Sequence, residues 1–145
     1  MIIRPPEPAD RPEWERLYAG YADFYKVTQT PEMRATVWGW IHDPAHGTRA
    51  FVAEDQGRLV GLAHFRPFAR PLAASTGGFL DDLFVDPAAR GSGAAEALIS
   101  ALAEEGRHQG WTVIRWITAE DNYRARSLYD RLAEKTRWAT YDIKL

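Results

Sequence analysis

Leu83-Phe84-Val85-Asp86-Pro87-Ala88-Ala89-Arg90-Gly91-Ser92-Gly93-Ala94-Ala95 is the stretch whose reading decides the fold. Its first residues close an apolar strand, Phe79 to Val85, stopped by Asp86-Pro87. Its last residues open a helix from about Ser92 to His108, with Ala95, Leu98 and Leu102 on one stripe. Gly110 ends that helix, and Thr112 to Thr118 is again β-branched and aromatic. Two strands joined by a helix-sized connection form a parallel crossover. The glycines sit where that crossover leaves the sheet. A helix start offers backbone N–H groups without partners and the positive end of the helix dipole, which suits a phosphate or pyrophosphate. Gly91 and Gly93 remove side chains that would hold an anion away, and Arg90 adds a cation at the rim.

Upstream, Ile2 to Arg4 is a short strand ended by Pro5 and Pro6. Asp10 to Tyr25 reads as a helix with Asp10 as cap, Pro12 in the first turn, and Trp14, Leu17, Tyr18 and Tyr21 on one face. Thr30 and Pro31 open a second helix that ends near Pro44. Ala50 to Glu54 and Leu59 to Phe68 are strands around the hairpin turn Asp55-Gln56-Gly57. Downstream, Asp121 or Asn122 caps a helix to about Ala133, with Ala125, Leu128, Tyr129 and Leu132 inward. Ala139 to Lys144 is a last strand. The order is β-α-α-β-β-β-α-β-α-β. It predicts an α/β (α+β) protein with a mixed, mostly antiparallel sheet and helices on both faces, as one domain over residues 1–145.

Composition narrows the functions. A chain of 145 residues, 46% hydrophobic and 26% charged, is globular in size and balance. With no cysteine it has no disulfide, thiolate zinc site or Cys nucleophile, and it suits a reducing, cytoplasmic compartment. A net charge of −2 without a basic block makes nucleic acid a poor partner. The N-terminus lacks the apolar core of a signal peptide, and no apolar run reaches the ~18–20 residues of a membrane span.

Three phosphate-binding readings compete for the glycine loop. A Walker A loop needs Gly-Lys-Ser/Thr, and Gly93 is followed by Ala94-Ala95. A dinucleotide fingerprint would place its third glycine at position 96, which is Glu96. The third is a coenzyme A pyrophosphate loop, Q/R-x-x-G-x-G/A, which Arg90-Gly91-Ser92-Gly93-Ala94-Ala95 fits at every position. A βα turn that binds nothing explains the motif alone equally well.

That third pattern resembles the GNAT acetyltransferase superfamily, whose fold has the same element order and whose pyrophosphate loop also follows the fourth strand. Asp121-Asn122-Tyr123-Arg124-Ala125-Arg126-Ser127-Leu128-Tyr129 is similar to the family segment N-x-x-A-x-x-L/F-Y. Phe79-Leu80-Asp81-Asp82-Leu83-Phe84-Val85 is similar to the L-E-D-F-F-V strand of diamine and thialysine acetyltransferases, and Ala119-Glu120-Asp121-Asn122 to their A-E-W-N. One departure stands out. Relatives often follow the tyrosine with L-G-F, whereas this chain continues through a longer polar turn, Asp130 to Arg137.

The resemblance implies transfer of acetyl from acetyl-CoA to an amine, a reaction with definite needs. A primary alkylammonium of pKa ~10.4 lies ~3.4 units from neutral pH, so freeing its lone pair costs roughly 4.6 kcal/mol. A carboxylate can take that proton directly or through water. Asp81 and Asp82 are adjacent in a strand and are expected to point to opposite faces, so that only one heads into the cleft. The resemblance favours Asp81 as base and leaves Asp82 to bind a cationic acceptor; solvating a sheet edge is the plainer role for either. The leaving thiolate needs a donor. Tyr129 is the candidate, against core packing on its inward stripe. Asn122 is expected to hold the pantetheine arm, cap its helix, or do both. A backbone N–H on the fourth strand, Phe84 or Val85, supplies the oxyanion donor in such enzymes.

Other constellations are weaker. His42 and His46 are interrupted by Pro44 and lack carboxylate or Cys partners, so no metal is expected. His64 lies in a strand and reads as packed more than as cleft lining. Trp38, with Trp40, is a candidate wall of the acceptor site, with core packing as the ordinary alternative. The reading is an acetyl-CoA-dependent enzyme acting on a small amine: a polyamine, a diamine or a lysine-like amino acid. A protein or peptide acetyltransferase and a non-catalytic acyl-CoA sensor are the alternatives. The family often forms twofold dimers, and the edge of the last strand makes a homodimer the expectation here.

Overall fold

The computed structural model describes all 145 residues. The elements in chain order are β1 (Ile2–Arg4), α1 (Arg11–Phe24), α2 (Pro31–Ile41), β2 (Arg49–Asp55), β3 (Arg58–Arg70), β4 (Ser75–Val85), α3 (Ala94–Gln109), β5 (Ile114–Arg115) and α4 (Tyr123–Leu132). The strands form one sheet in the order β1-β2-β3-β4-β5, antiparallel except for the parallel β4–β5 pair. Gln56 and Gly57 turn β2 into β3 with φ of 51° and 78°, the two left-handed residues that a tight hairpin needs.

Strand alternation builds two cores. On one face Ala53, Ala63, Phe65 and Leu80 pack beneath Leu98, Ile99 and Leu102 of α3, with α4 alongside through Leu128, Tyr129 and Leu132. On the other, Val52, Leu62 and Phe84 pack beneath Trp14 and Leu17 of α1, with Val37, Trp38 and Ile41 of α2 behind. α3 ends on Gly110, φ +76°, and the Trp111 amide turns back to the Gly106 carbonyl at 2.8 Å.

Two features set the functional geometry. The β4–β5 pairing is confined to Gly78 with Ile114 and Phe79 with Arg115, so from Leu80 to Val85 β4 has no neighbour on that side. Gly78 makes the short join tight, since a Cβ there would lie 2.5 Å from Trp111 Cε3. The other feature is a bulge. On β3, His64 faces Asp82 while the next residue, Phe65, faces Leu80, leaving Asp81 as the extra residue of β4.

The last strand expected at Ala139 to Lys144 is absent. α4 ends with Ala133 in extended backbone, φ −147° and ψ 177°, and no glycine turns the chain back. Residues 134–145 run on without helix, strand or backbone hydrogen bond.

Candidate active site

The opening between β4 and β5 continues into a cleft of about 530 Å³. Its floor is Leu83, Phe84 and Val85, one wall is the loop from Ala89 to Glu96, another is α4 through Ala125, Leu128 and Tyr129 with its cap Asn122, and Tyr21 and Phe24 of α1, with Tyr25 just past its end, close it. Every residue assigned above to the coenzyme lines this one space: Phe84, Val85, Arg90, Gly91, Ser92, Gly93, Ala94, Ala95 and Asn122, with Tyr129 among them.

The loop is built as an anion cradle. Gly91 and Gly93 have φ of +81° and +84°, and nothing lies within 4 Å of a Cβ built on either. Their glycine is demanded by backbone conformation and by the open space a ligand would fill. The turn bonds only the amides of Ala89, Arg90 and Ser92. Those of Gly91, Gly93, Ala94, Ala95 and Glu96 are left without a partner in the chain, at the positive end of the 16-residue helix α3. A pyrophosphate fits this donor set.

Ladder parity selects the oxyanion donor. The Asp86 amide bonds the Val60 carbonyl at 2.8 Å, and Phe84 stands opposite Leu62 two residues along the same ladder. Bonded pairs alternate in an antiparallel ladder, so the Phe84 amide is committed to β3. The amides of Leu83 and Val85 point into the opening. Of the two expected positions, Val85 has the free donor.

Asn122 caps α4, its Oδ1 accepting from the Ala125 amide at 3.5 Å, while it also lines the cleft. Tyr129 stacks edge-on against Trp116 at 5.3 Å between ring centres. Burial pushes its hydroxyl up to about 12, with the nearby Tyr25 adding to the rise.

The carboxylates correct the expectation of opposite faces. Asp82 Oδ2 accepts from Tyr18 Oη and from His64 Nδ1, both at 2.9 Å. Asp81 accepts from Arg66 Nε at 3.0 Å. His64 and Arg66 are two apart on β3 and share a face, so both aspartates reach the α1 side, and the bulge is what brings them there. Burial raises Asp81 above the usual carboxylate value, outweighing the opposing Arg66. Burial also raises Tyr18 and Tyr21, and the charge of Asp82 adds to both. Tyr21 is thus within electrostatic reach of Asp82 while itself lining the coenzyme cleft.

His64 is only 2% exposed and is clamped from both sides. Trp14 Nε1 donates to its Nε2 at 3.0 Å, and an indole N–H can only donate, so the His64 proton sits on Nδ1 and points at Asp82. Trp38 lines no part of the cleft. It packs on Trp14 at 4.9 Å and on His42 at 4.3 Å, half-buried on the sheet face that carries Trp14 and His64. His42 and His46 bond separately, to the Trp38 carbonyl and to Thr48. Sequence reasoning passed over Tyr25, Phe24 and Arg66. Tyr18, Tyr21 and Tyr25 recur at helical spacing, a signal indistinguishable from ordinary core until the cleft is seen.

A cleft entered through a split sheet, with an amide cradle at one end and a half-buried phenol at the other, is the architecture of an acyl-CoA transferase. Residues 14–133 match the model of the acetyltransferase (GNAT) family, and the chain belongs to that family. It is an acetyl-CoA-dependent N-acetyltransferase. The D-amino-acid N-acetyltransferase HPA3 of Saccharomyces cerevisiae is 29% identical over 139 residues, 94% of this chain and 86% of that one. A ribosomal-protein-alanine N-acetyltransferase from Brucella melitensis biovar Abortus 2308 superposes with a TM-score of 0.84 at 26% identity, over 100% of both chains. The aminoglycoside enzyme AAC(6')-Iy, solved with a CoA-linked bisubstrate analogue, shares the fold with a TM-score of 0.85 at 21% identity, over 99% of this chain and 97% of that one.

Proposed function

We propose that this enzyme acetylates the primary amine of a small molecule that also carries a carboxylate or a second cation, by direct attack on acetyl-CoA. The observation that carries this is the bulged Asp81-Asp82 pair, which sets two acidic groups and the Arg66 guanidinium on one sheet face beside the tyrosines of the coenzyme cleft. Asp82, held by Tyr18 and His64, is a fixed negative charge for an ammonium group. Asp81, raised by burial, takes the proton, since a general base works best when its pKa approaches the operating pH. The amine nitrogen then bonds the acetyl carbon, the Val85 amide receives the carbonyl oxygen, and the C–S bond breaks toward Tyr129. Arg90 and the loop hold the pyrophosphate, and Asn122 the pantetheine arm. Phe84, Gly91, Ser92, Gly93, Ala94 and Ala95 shape that path.

Arg66 suits an acceptor carboxylate, and similarity to the yeast D-amino-acid N-acetyltransferase supports an amino-acid acceptor. The two aspartates keep diamines, polyamines and lysine-like amino acids within the same reading. A peptide amine is the second reading, favoured by the likeness to the Brucella ribosomal-protein-alanine N-acetyltransferase. The whole chain acts as one domain and as a homodimer in the cytoplasm. No helix is long and apolar enough to cross a membrane. Thiol release from acetyl-CoA, followed across D- and L-amino acids, diamines, polyamines and an alanine-ended peptide, tests the reading. Turnover of the small amines, lost in Asp81→Asn near neutral pH and recovered in part at high pH, is expected. Turnover of the peptide alone would overturn it.

A further inference from the structure

Strand register sets Arg66, Phe79 and Arg115 side by side: Arg66 faces Phe79 between β3 and β4, and Phe79 faces Arg115 between β4 and β5. Directly opposed residues point to one side of a sheet, so this row shares the α1 side with Asp81 and Asp82. The core beneath α1 and α2 stops short of it. Phe68 and Phe79 belong to neither core, stay half-buried, and meet edge-on at 5.9 Å between ring centres. Gly77 makes room for the Phe68 ring, since a Cβ there would stand 2.7 Å from Phe68 Cε1. The Arg115 guanidinium lies over Phe68 at 5.4 Å, and that of Arg66 over Phe79 at 4.8 Å.

The two arginines differ in what they hold. Arg66 is paired with Asp81 at 3.0 Å. Arg115 makes no ion pair and no side-chain hydrogen bond, and the Arg70 guanidinium on the same face bonds only Thr112 Oγ1. The face is therefore graded. β3, β4 and β5 carry no acid besides Asp81 and Asp82, and beyond these lie guanidinium groups without a carboxylate. We infer that Arg115 is a specificity-determining residue that seats the carboxylate of an ω-amino acid, whose amine lies at Asp81 and Asp82. Spacing selects this acceptor. Asp82 and Phe79 are three residues apart on β4, roughly 10 Å at ~3.3 Å per residue, and Arg115 stands beside Phe79. An α-amino acid hangs amine and carboxylate on one carbon and cannot touch both ends. An unbranched chain of several methylenes can, and the rings of Phe68 and Phe79 give those methylenes an apolar bed. Phe68 also holds the Arg115 guanidinium in place beforehand, so less side-chain freedom is lost when the acceptor arrives. The inference rests on the small-amine reading above and narrows it to amine and carboxylate at opposite ends of one chain.

Thiol release is followed with an ω-amino-acid series from glycine to aminohexanoate and with alkylamines of matching length. The CoA-bound protein is titrated calorimetrically with aminohexanoate beside it. kcat/KM should climb with length along the amino-acid series. Arg115→Gln removes a charge-assisted hydrogen bond, so the KM for aminohexanoate should rise at least ~10-fold with kcat nearly held, and titrated binding should weaken to match. The loss on alkylamines should be far smaller, and Arg115→Lys should recover part of the binding. A flat length series, or losses in Arg115→Gln that are equal on amino acid and alkylamine, would overturn the role of Arg115 and leave the small-amine reading standing. Binding of aminohexanoate that depends on Arg115, with no thiol release from any small amine, would uphold the seat and overturn the acetylation reading. Neither binding nor turnover of aminohexanoate by the native protein would overturn the seat.

Discussion

Tyr129→Phe keeps the ring and removes one hydroxyl. Burial and the neighbouring Tyr25 are what raise that hydroxyl, with no hydrogen bond contributing, so its loss strands no partner. The edge-on stack on Trp116 at 5.3 Å is kept by phenylalanine. Stability is therefore expected to change little, which leaves any loss of activity to be read as chemistry. The magnitude follows from the direction of the pKa. A phenol pushed up to about 12 faces a leaving thiolate of ordinary pKa ~8.5. Full proton transfer is uphill by several kcal/mol, since each unit of mismatch costs ~1.36 kcal/mol. The useful act is then hydrogen-bond donation to the sulfur as charge develops, with the proton staying on Tyr129. Hydrogen bonds to charged groups are worth about 1.5–3 kcal/mol, so kcat should fall about 10- to 150-fold.

The assay is thiol release at saturating acetyl-CoA, with calorimetric titration of the coenzyme beside it. Coenzyme affinity should be nearly unchanged, because the interaction strengthens only as the C–S bond breaks. A phenol at about 12 also stays protonated over any practical assay range, so it should add no alkaline limb of its own to the pH profile. Unchanged kcat would reduce Tyr129 to packing. A fall matched by an equal loss of coenzyme affinity would make it a binding residue.

Three further outcomes follow from the packing. Gly78→Ala places a Cβ 2.5 Å from Trp111 and 2.9 Å from Ile114, and overpacking of this kind should cost about 1–3 kcal/mol in thermal unfolding; an unshifted midpoint would show that the β4–β5 join is loose. Trp14→Phe leaves buried His64 Nε2 without its donor, a loss of about 1–3 kcal/mol beyond the smaller ring, and the KM for the acceptor should rise while coenzyme affinity holds. Asp81 is raised in the folded protein, so the native state binds that proton more tightly than the unfolded chain, and stability falls as pH rises from 3.8 through the raised value. Asp81→Asn should accordingly melt higher than the native protein at neutral pH, with the gap closing in acid; a lower midpoint at neutral pH would make the Arg66 pair the dominant contact.

What was legible in the sequence was local. The Arg90–Ala95 loop, the stripe of α3 and the inward set of α4 announce themselves within one turn of chain, and Asn122 and Tyr129 lie in the cleft with that loop. What was missed depends on partners far away in sequence. A strand is a strand only if it reaches an edge, so Ala139 to Lys144 has the right alternation and still stands alone. The partner of Trp38 was equally distant: it packs on Trp14, a buried ring outside any motif. The bulge at Asp81 had no local signal at all, since neither aspartate is a glycine and the period of two ran through both.

That bulge divides the labour between two identical side chains. With regular alternation, one aspartate would turn to the α3 face and meet the apolar layer of Phe65 and Leu98, where an unpaired carboxylate is expensive. The extra residue spares the fold that burial and spends it on the acceptor side. There the two differ only in their neighbours. Asp82 receives two hydrogen bonds, one from a histidine whose tautomer is fixed by Trp14 in the centre of the core, so its position is as rigid as the core itself. Asp81 has one guanidinium at the surface and is held less firmly in its ionised form. A fixed charge that attracts an ammonium group and a movable one that can accept its proton are what amine acetylation requires, and a single register shift in β4 supplies both.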